Sequence, residues 1–422
     1  TKRLKQLTRP SGIITDYTYE TNGVIKDITQ TDGATQIDRL DYIYDAVNNV
    51  DSITDNVGLH DYNYNGFNEL TQAIHPAGSG LTTENYSYNK VGNRETPADA
   101  TAYDYDSNNR ITKSPGVASY VFDDDGSMTS NSNGEVYNYN KLSELINYTN
   151  GSTTVSYKYD PFGKRLNKTV NGVTTWFLWD RSKLLTEYNN SGQQQKRYTY
   201  LPDRYTPTQI ADSNGIYDVH TDHRDAPMLL TDSAKNIVWS AQYEAFGKAI
   251  INEDVDGNGA MIVFNHRLPG QYFDIESDLY YNRYRYYSPS LGRYITSDPL
   301  GIDGLIEELD EDFITQDTNL YPYVINNPLK YVDPFGLAEG GPNATDSAGG
   351  SEHTAGARSS TQGKHEKGDA RRNKDRGGEK GDANRRDNRK KPKGWKGKWP
   401  GLRGLLCPAC GLYFPDPNDQ CI

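Results

Sequence analysis

The stretch Tyr157-Lys158-Tyr159-Asp160-Pro161-Phe162-Gly163 decides the reading of the fold, because its pattern recurs along the chain. The unit is an aromatic residue, any residue, a second aromatic, Asp or Asn, then a Gly/Asn turn and an apolar residue. It reads Tyr42-Ile43-Tyr44-Asp45, Tyr62-Asn63-Tyr64-Asn65, Tyr86-Ser87-Tyr88-Asn89, Tyr103-Asp104-Tyr105-Asp106, Tyr120-Val121-Phe122-Asp123 and Tyr137-Asn138-Tyr139-Asn140. The second aromatics are 20, 24, 17, 17, 17 and 20 residues apart, counting on to Tyr159. Aromatics at i and i+2 share one face of a strand. The following Asp or Asn suits a turn, because its side chain bonds the local backbone and tolerates the left-handed conformation. Gly66, Gly92, Gly126 and Gly163 are expected to supply positive φ. Each unit is therefore a strand, a turn and a strand, and stacked units predict one long antiparallel sheet with a Tyr-lined face.

Composition agrees. Among 422 residues only 34% are hydrophobic, against about 45–50% in globular domains on a slightly different count. Disordered chains are poor in aromatics, yet this one holds 33 Tyr, 10 Phe and 5 Trp. Tyrosine buries area while keeping a polar end. The sequence has no run of about 18 apolar residues, so no membrane span is expected. It begins at Thr1 without a signal peptide and is expected to be cut from a longer protein. Charge is uneven: residues 338–422 carry a net of +6 and the preceding 337 residues a net of −18. All three cysteines, Cys407, Cys410 and Cys421, lie in the last 16 residues, so disulfides do not hold the acidic body together.

The repeated unit resembles the Rhs/YD-repeat family of polymorphic toxins, whose Tyr-Asp signature winds into a hollow β-shell. Residues 216–337 extend the resemblance through Val219-His220-Thr221-Asp222-His223, Arg267-Leu268-Pro269-Gly270-Gln271, Leu279-Tyr280-Tyr281-Asn282-Arg283-Tyr284-Arg285-Tyr286-Tyr287 and Leu291-Gly292-Arg293-Tyr294, which look like the Rhs core motif. The fold expected is mostly β, a partial shell of antiparallel sheet. A small basic C-terminal domain, α+β or partly disordered, follows. The expected domains are 1–215 (YD-repeat shell), 216–337 (core with a cleavage motif), 338–362 (a Gly/Ser/Thr/Ala-rich linker) and 363–422 (basic tail). His220, Asp222 and His223 are expected to hydrogen-bond rather than bind metal. Asp254-Val255-Asp256-Gly257-Asn258-Gly259 imitates the start of a calcium loop but has Asn265 where the bidentate Glu would stand, which favours a polar turn.

Asn319-Leu320-Tyr321-Pro322-Tyr323 leads into Asp333-Pro334-Phe335-Gly336-Leu337, which looks like the Rhs terminal motif. The resemblance implies self-cleavage at Leu337–Ala338 by an aspartyl-type mechanism. Such chemistry needs two nearby carboxyl groups in different protonation states to activate water. By the motif, Asp298 and Asp333 are the pair and Arg293 helps hold the charge. Asp298-Pro299 and Asp333-Pro334 read without the family are ordinary turn dipeptides. The acidic stretch at 302–318 is longer than is usual for the family, and either forms a surface loop or disturbs the pairing.

The tail is the variable part. Residues 363–399 carry a net of +9 and an internal echo, Glu366-Lys367-Gly368-Asp369-Ala370 and Glu379-Lys380-Gly381-Asp382-Ala383. Arg371, Arg372, Arg385 and Arg386 could contact phosphates, and Trp395 and Trp399 could stack on bases; a solvated basic segment fits the charge equally well. The resemblance makes this segment a released toxin, and its basic character points to a nuclease acting on DNA or RNA. By chemistry, His365 is then the general acid/base, with Glu366, Asp369, Glu379 or Asp382 as carboxylate partner; a plain surface histidine fits as well. Cys407-Pro408-Ala409-Cys410, with Cys421, is a zinc half-site, with a redox pair, a disulfide or unpaired thiols as rivals. The implied partners are a cognate immunity protein, a secretion-machine spike or adaptor and nucleic acid. The implied route is synthesis in a bacterial cytoplasm and secretion or delivery into a target cell. Two rival readings are a YD-repeat surface or carbohydrate-binding protein without an enzymatic tail, and a toxin that modifies a protein target.

Overall fold

The computed structural model describes residues 3–95, 102–301 and 319–337 and, in the tail, the strands Leu405–Leu406 and Tyr413–Phe414. The chain divides into two compact units, Thr1–His353 and Thr354–Ile422. Within the first, the described elements are β-strands apart from a 3-10 turn at Val324–Asn326.

The strands pair antiparallel with their neighbours in chain order. Eight, from Gln6–Thr8 to Glu84–Asn85, form one sheet. Fourteen, from Tyr120–Phe122 to Ala249–Asn252, form a second, and four, from Tyr272–Asp274 to Arg293–Tyr294, a third. The single long sheet expected from the repeats is thus interrupted. The break falls between the first and second sheets, where Ser87–Tyr88 with Arg94–Glu95, and Asp104–Tyr105 with Ile111–Lys113, form two-stranded ribbons among the described residues. The second sheet runs without a break across residue 215, so the repeats and the core motif share it.

The repeat chemistry is legible at most units, although the first aromatics Tyr103 and Tyr120 are only half-buried. Elsewhere the first aromatic is buried: Tyr42, Tyr62, Tyr137 and Tyr157 are all under 7% exposed. Just before the second aromatic the ladder shifts register, between Ile43/Tyr44, Asn63/Tyr64, Asn138/Tyr139 and Lys158/Tyr159. Such a bulge re-aims the side chain that follows it. At three of these four positions the re-aimed hydroxyl donates to a carbonyl of the preceding unit: Tyr44 to Ile25 (2.7 Å), Tyr64 to Val50 (2.9 Å) and Tyr159 to Leu145 (2.7 Å), whereas the Tyr139 hydroxyl has no partner; Tyr88, without such a shift, donates to Leu70 (2.8 Å). Trp179 makes the same stitch to Arg165 through its indole N–H (2.8 Å).

The Asp or Asn then closes the turn. Asp45 Oδ1 accepts from the amides of Val47 and Asn49, and Asp160 Oδ1 from those of Phe162 and Lys164. The left-handed residue is the third after it: Gly92, Gly126 and Gly163 as expected, but Asn68 (φ 63°) and not Gly66 in the Asn65 turn. Asn tolerates that conformation, so the fixed offset, not the presence of Gly, sets the site.

Two buried clusters result, one built on the first sheet and one on the second and third. A charged bridge joins the latter two sheets. Asp274 accepts from Arg165 at 2.5 Å and Lys168 at 3.2 Å, with all three side chains at most 10% exposed. Opposed charges here remove the cost of burying either sign alone.

Candidate active site

Leu279–Asn282 and Arg285–Ser288 form a tight hairpin in which Asn282 pairs with Arg285, and all eight strand residues are buried. Arg293–Tyr294 pairs beside it and delivers Tyr294 opposite Tyr287. Segment 319–337 lies against this sheet, with a bridge between Arg293 and Pro322 and the Tyr294 amide donating to the Tyr321 carbonyl at 2.9 Å.

The hairpin, the residues after Tyr294 and this segment converge on the Arg285 guanidinium. Its Nη2 lies 2.7 Å from Asp298 Oδ2 and 3.4 Å from Asp333 Oδ2, with all three side chains no more than 4% exposed. The two carboxylates therefore meet on one nitrogen, no further apart than those two distances combined. Nε donates to the Gly336 carbonyl at 2.5 Å and Nη1 to that of Leu320 at 3.1 Å. The guanidinium carbon stands 3.6 Å from the Tyr294 ring centroid, a cation–π distance.

Asp333 is gripped on both oxygens. Oδ2 also accepts from the Tyr294 hydroxyl at 2.7 Å. Burial first, and the Asp333 charge second, push that hydroxyl well above the usual tyrosine range, so Tyr294 stays a donor. Oδ1 accepts from the amides of Phe335 (3.2 Å), Gly336 (2.7 Å) and Leu337 (3.1 Å). Asp333-Pro334-Phe335-Gly336 is thus wrapped around its own first carboxylate, with Leu337 held on it. Gly336 sits at φ 71°, and a Cβ there would lie 2.4 Å from the Asn282 carbonyl oxygen. A Cβ on Gly270 would meet the Pro334 carbonyl in the same way. These two glycines let backbone approach backbone.

Three consecutive non-glycine residues ahead of Asp333, Val324, Ile325 and Asn326, are left-handed (φ 42°, 47° and 59°). Each costs roughly 1–2 kcal/mol in that conformation, so the surroundings must impose it.

Asp298 and Asp333, paired in the sequence reading, do meet. Arg293 does not join them: its Nη2 donates to the Asn109 carbonyl at 2.7 Å and its guanidinium lies 5.0 Å from the rings of Tyr105 and Tyr321. The cation between the carboxylates is Arg285. Sequence reading missed it, together with Tyr294 and Asn282, because Leu279–Tyr287 holds two arginines and no local pattern says which faces inward. Asn282 reads the other side of the site, donating to the Asp333 carbonyl at 2.7 Å and the Tyr294 hydroxyl at 2.9 Å.

The remaining candidates fall elsewhere. His220 Nε2 meets the Thr231 hydroxyl at 2.9 Å, His223 Nε2 the Leu329 carbonyl at 2.7 Å, and Asp222 accepts from Arg224 and Ala226. Each is used in packing and hydrogen bonding. In the calcium-like stretch, Asp254 accepts from the Gly259 amide and Asp256 from Asn258. Ala338, the stretch 302–318, His365, Glu366, Asp369, Arg371, Arg372, Arg385, Arg386, Trp395, Trp399, Cys407, Cys410 and Cys421 lie outside the described residues. Nearby, Leu405 pairs with Phe414 and Leu406 with Tyr413.

The Teneurin YD-shell family model matches residues 15–329. The chain belongs to the YD-shell family. The resemblance to the Rhs/YD-repeat polymorphic toxins read from the sequence stands with it. This YD-shell chain is 27% identical over 335 residues to double-stranded DNA deaminase toxin A of Burkholderia cenocepacia, covering 70% of the chain and 22% of that protein. It is 29% identical over 283 residues to the tRNA nuclease WapA of Bacillus subtilis, covering 65% and 11%. The toxin protein Tse5 of Pseudomonas aeruginosa is 38% identical over 118 residues, covering 28% and 8%. A solved Photorhabdus luminescens Tc holotoxin pore carries the same fold, with TM-score 0.59 at 21% identity over 79% of this chain and 18% of that one. The chain thus spans about a fifth or less of these proteins' lengths. Among the described residues, no helix is long and apolar enough to cross a membrane.

Proposed function

We propose that this chain is a YD-shell toxin portion that cuts itself after Leu337 and so frees residues 338–422 as an effector acting on nucleic acid in a competing bacterium. The observation that carries the reading is the meeting of Asp298 and Asp333 on Arg285, with Leu337 held by its own amide on Asp333 Oδ1. In an aspartyl-type cleavage one carboxyl carries a proton and the other takes one from water as it adds to the Leu337 carbonyl. The carbonyl oxygen takes the proton of the first carboxyl; the second carboxyl then passes the proton it took from water to the nitrogen of residue 338, which leaves as the C–N bond breaks, while a hydroxyl of the collapsing intermediate returns a proton to the first. Arg285 keeps two like charges tolerable at close range until one is neutralised. Tyr294 and the amides of 335–337 fix the Asp333 carboxylate so that the chain before the scissile bond is oriented.

The effector reading is supported by the relatives that are named as a double-stranded DNA deaminase toxin and a tRNA nuclease, and by the net charge of +9 over residues 363–399. In it His365 with Glu366 or Asp369 does acid–base work, and the Arg pairs with Trp395 and Trp399 bind the polynucleotide. Cys407, Cys410 and Cys421, with a His or a carboxylate as fourth ligand, would hold a structural zinc in the tail. A cognate immunity protein protects the producing cell.

Intact mass of the purified chain tests the first step. A break at Leu337–Ala338 that disappears in Asp333→Asn is expected; an uncut wild type ends the self-cleavage reading. Expression of 338–422 in a bacterial cytoplasm tests the second, with growth arrest and degraded or deaminated nucleic acid expected. Arrest with intact nucleic acid would favour a protein target, and harmless expression a surface protein.

A further inference from the structure

The segment that ends in Asp333 does not pack on the core sheet alone. It runs along the turn tips of the N-terminal repeats, and its side-chain donors fall on successive turns. Lys330 Nζ donates to the Val47 carbonyl at 2.8 Å. Asn327 Nδ2 bridges two turns, reaching Asn49 Oδ1 at 2.9 Å and the Asn68 carbonyl at 2.8 Å. Asn326 Nδ2 bridges the next two, reaching Glu69 Oε1 at 3.0 Å and the Gly92 carbonyl at 2.9 Å. Asn319 Nδ2 reaches the Val91 carbonyl at 2.9 Å and Asn93 Oδ1 at 2.7 Å.

All these acceptors exist only when the turns at 45–49, 65–69 and 89–93 are closed, because an open turn offers no carbonyl or side-chain oxygen at that place. Asn326 and Asn327 are at most 4% exposed, so water does not substitute for a missing partner. Asn326 is also the last of the three left-handed residues, which relax to ordinary backbone once nothing imposes them. Asp333 follows seven residues later, short enough for that relaxation to move it off Arg285.

We propose that Asn326 and Asn327, with Asn319 and Lys330 beside them, are positioning residues that sense completed N-terminal repeats and deliver Asp333 to Arg285 and Asp298 only then. Cleavage is thereby coupled to the finished first sheet, and an effector is not released from a half-built body. For its activity readout this rests on the self-cleavage reading above.

The test uses the full chain with three variants. Asn326→Asp replaces a donor by a charge facing Glu69 and the Gly92 carbonyl. Glu69→Gln added to Asn326→Asp returns a donor to that contact. Asn189→Ala loosens a comparable turn in the second sheet and serves as control. Cleavage at Leu337 is followed by intact mass over time, and hydrogen exchange is read on peptides covering 335–337 and the first sheet. Expected are at least a tenfold slower cut in Asn326→Asp, partial recovery with Glu69→Gln, and an unchanged rate in Asn189→Ala. Exchange at 335–337 rises in Asn326→Asp while the first sheet stays protected, which shows that the variant is folded. If the wild type is never cut but exchange behaves as stated, the positioning role stands and the cleavage reading falls. Unchanged exchange at 335–337 in Asn326→Asp, or cleavage at the wild-type rate, overturns the proposal, as does loss of protection throughout the first sheet.

Discussion

Replacing Arg285 by Met removes the guanidinium while keeping most of the apolar stem. Two carboxylates, each about 3% exposed, lose the nitrogen that lies 2.7 Å from one and 3.4 Å from the other. The carbonyls of Gly336 and Leu320 lose their donors as well. Removing one partner from a buried ion pair costs about 3–5 kcal/mol, because the remaining charge is left uncompensated. That is roughly two to nearly four powers of ten in the unfolding constant. Asp298→Asn alone should cost about 1.5–3 kcal/mol, the worth of one hydrogen bond to a charged group. The double variant should cost less than the two singles added, since a neutral amide in place of the Asp298 carboxylate leaves only one stranded charge; a coupling of about 1.5–3 kcal/mol is expected. Guanidinium chloride unfolding of chains all ending at Leu337 reads these values without self-cleavage changing the species compared. A cost under about 1 kcal/mol for Arg285→Met, or no coupling with Asp298→Asn, would refute the claim that this cation holds the carboxylate pair together.

Other expectations follow from single contacts. Burial pushes His220 and His266 down to about 3, so both stay neutral in the folded chain long after the unfolded chain, at about 6.5, has taken up protons. Stability is therefore full above about pH 6.5 and falls as pH drops toward 3, by about 2 kcal/mol per histidine at pH 5. His266→Gln should remove about that much of the loss between pH 7.5 and 5 in denaturant midpoints, and an unchanged pH slope would count against it. Tyr64→Phe should cost about 1 kcal/mol, because the buried Val50 carbonyl loses its donor, whereas Tyr139→Phe should cost nothing, since the Tyr139 hydroxyl is buried without a partner. Equal thermal shifts for the two would deny the stitching role. Gly336→Ala should abolish cleavage at Leu337, because a Cβ at φ 71° collides with the Asn282 carbonyl; wild-type cleavage by gel would show that the close approach is dispensable.

Much of the body was legible in the residues because its determinants are local. The pairing of aromatics at i and i+2, the Asp or Asn that follows and the left-handed residue three places on all act within about one turn of chain. They specify strands and hairpins, but not how many join one sheet, which is interrupted here, nor which residue fills the left-handed site where local rules allow substitutes, as Asn68 does for Gly66. Asp298 and Asp333 were found through the family motif, not through any spacing. What the tertiary structure alone decided is which groups meet. Arg285 reaches Asp333 across 48 residues and Asn327 reaches Asn49 across 278. Arg293 and Arg285 both sit in motif sequence, and only the pleat of the hairpin and the path of 319–333 send one to the carboxylates and the other to the Asn109 carbonyl. Period and turn chemistry are set by the backbone of a few neighbouring residues, whereas a shared acceptor between distant segments exists only after the sheets have brought them together.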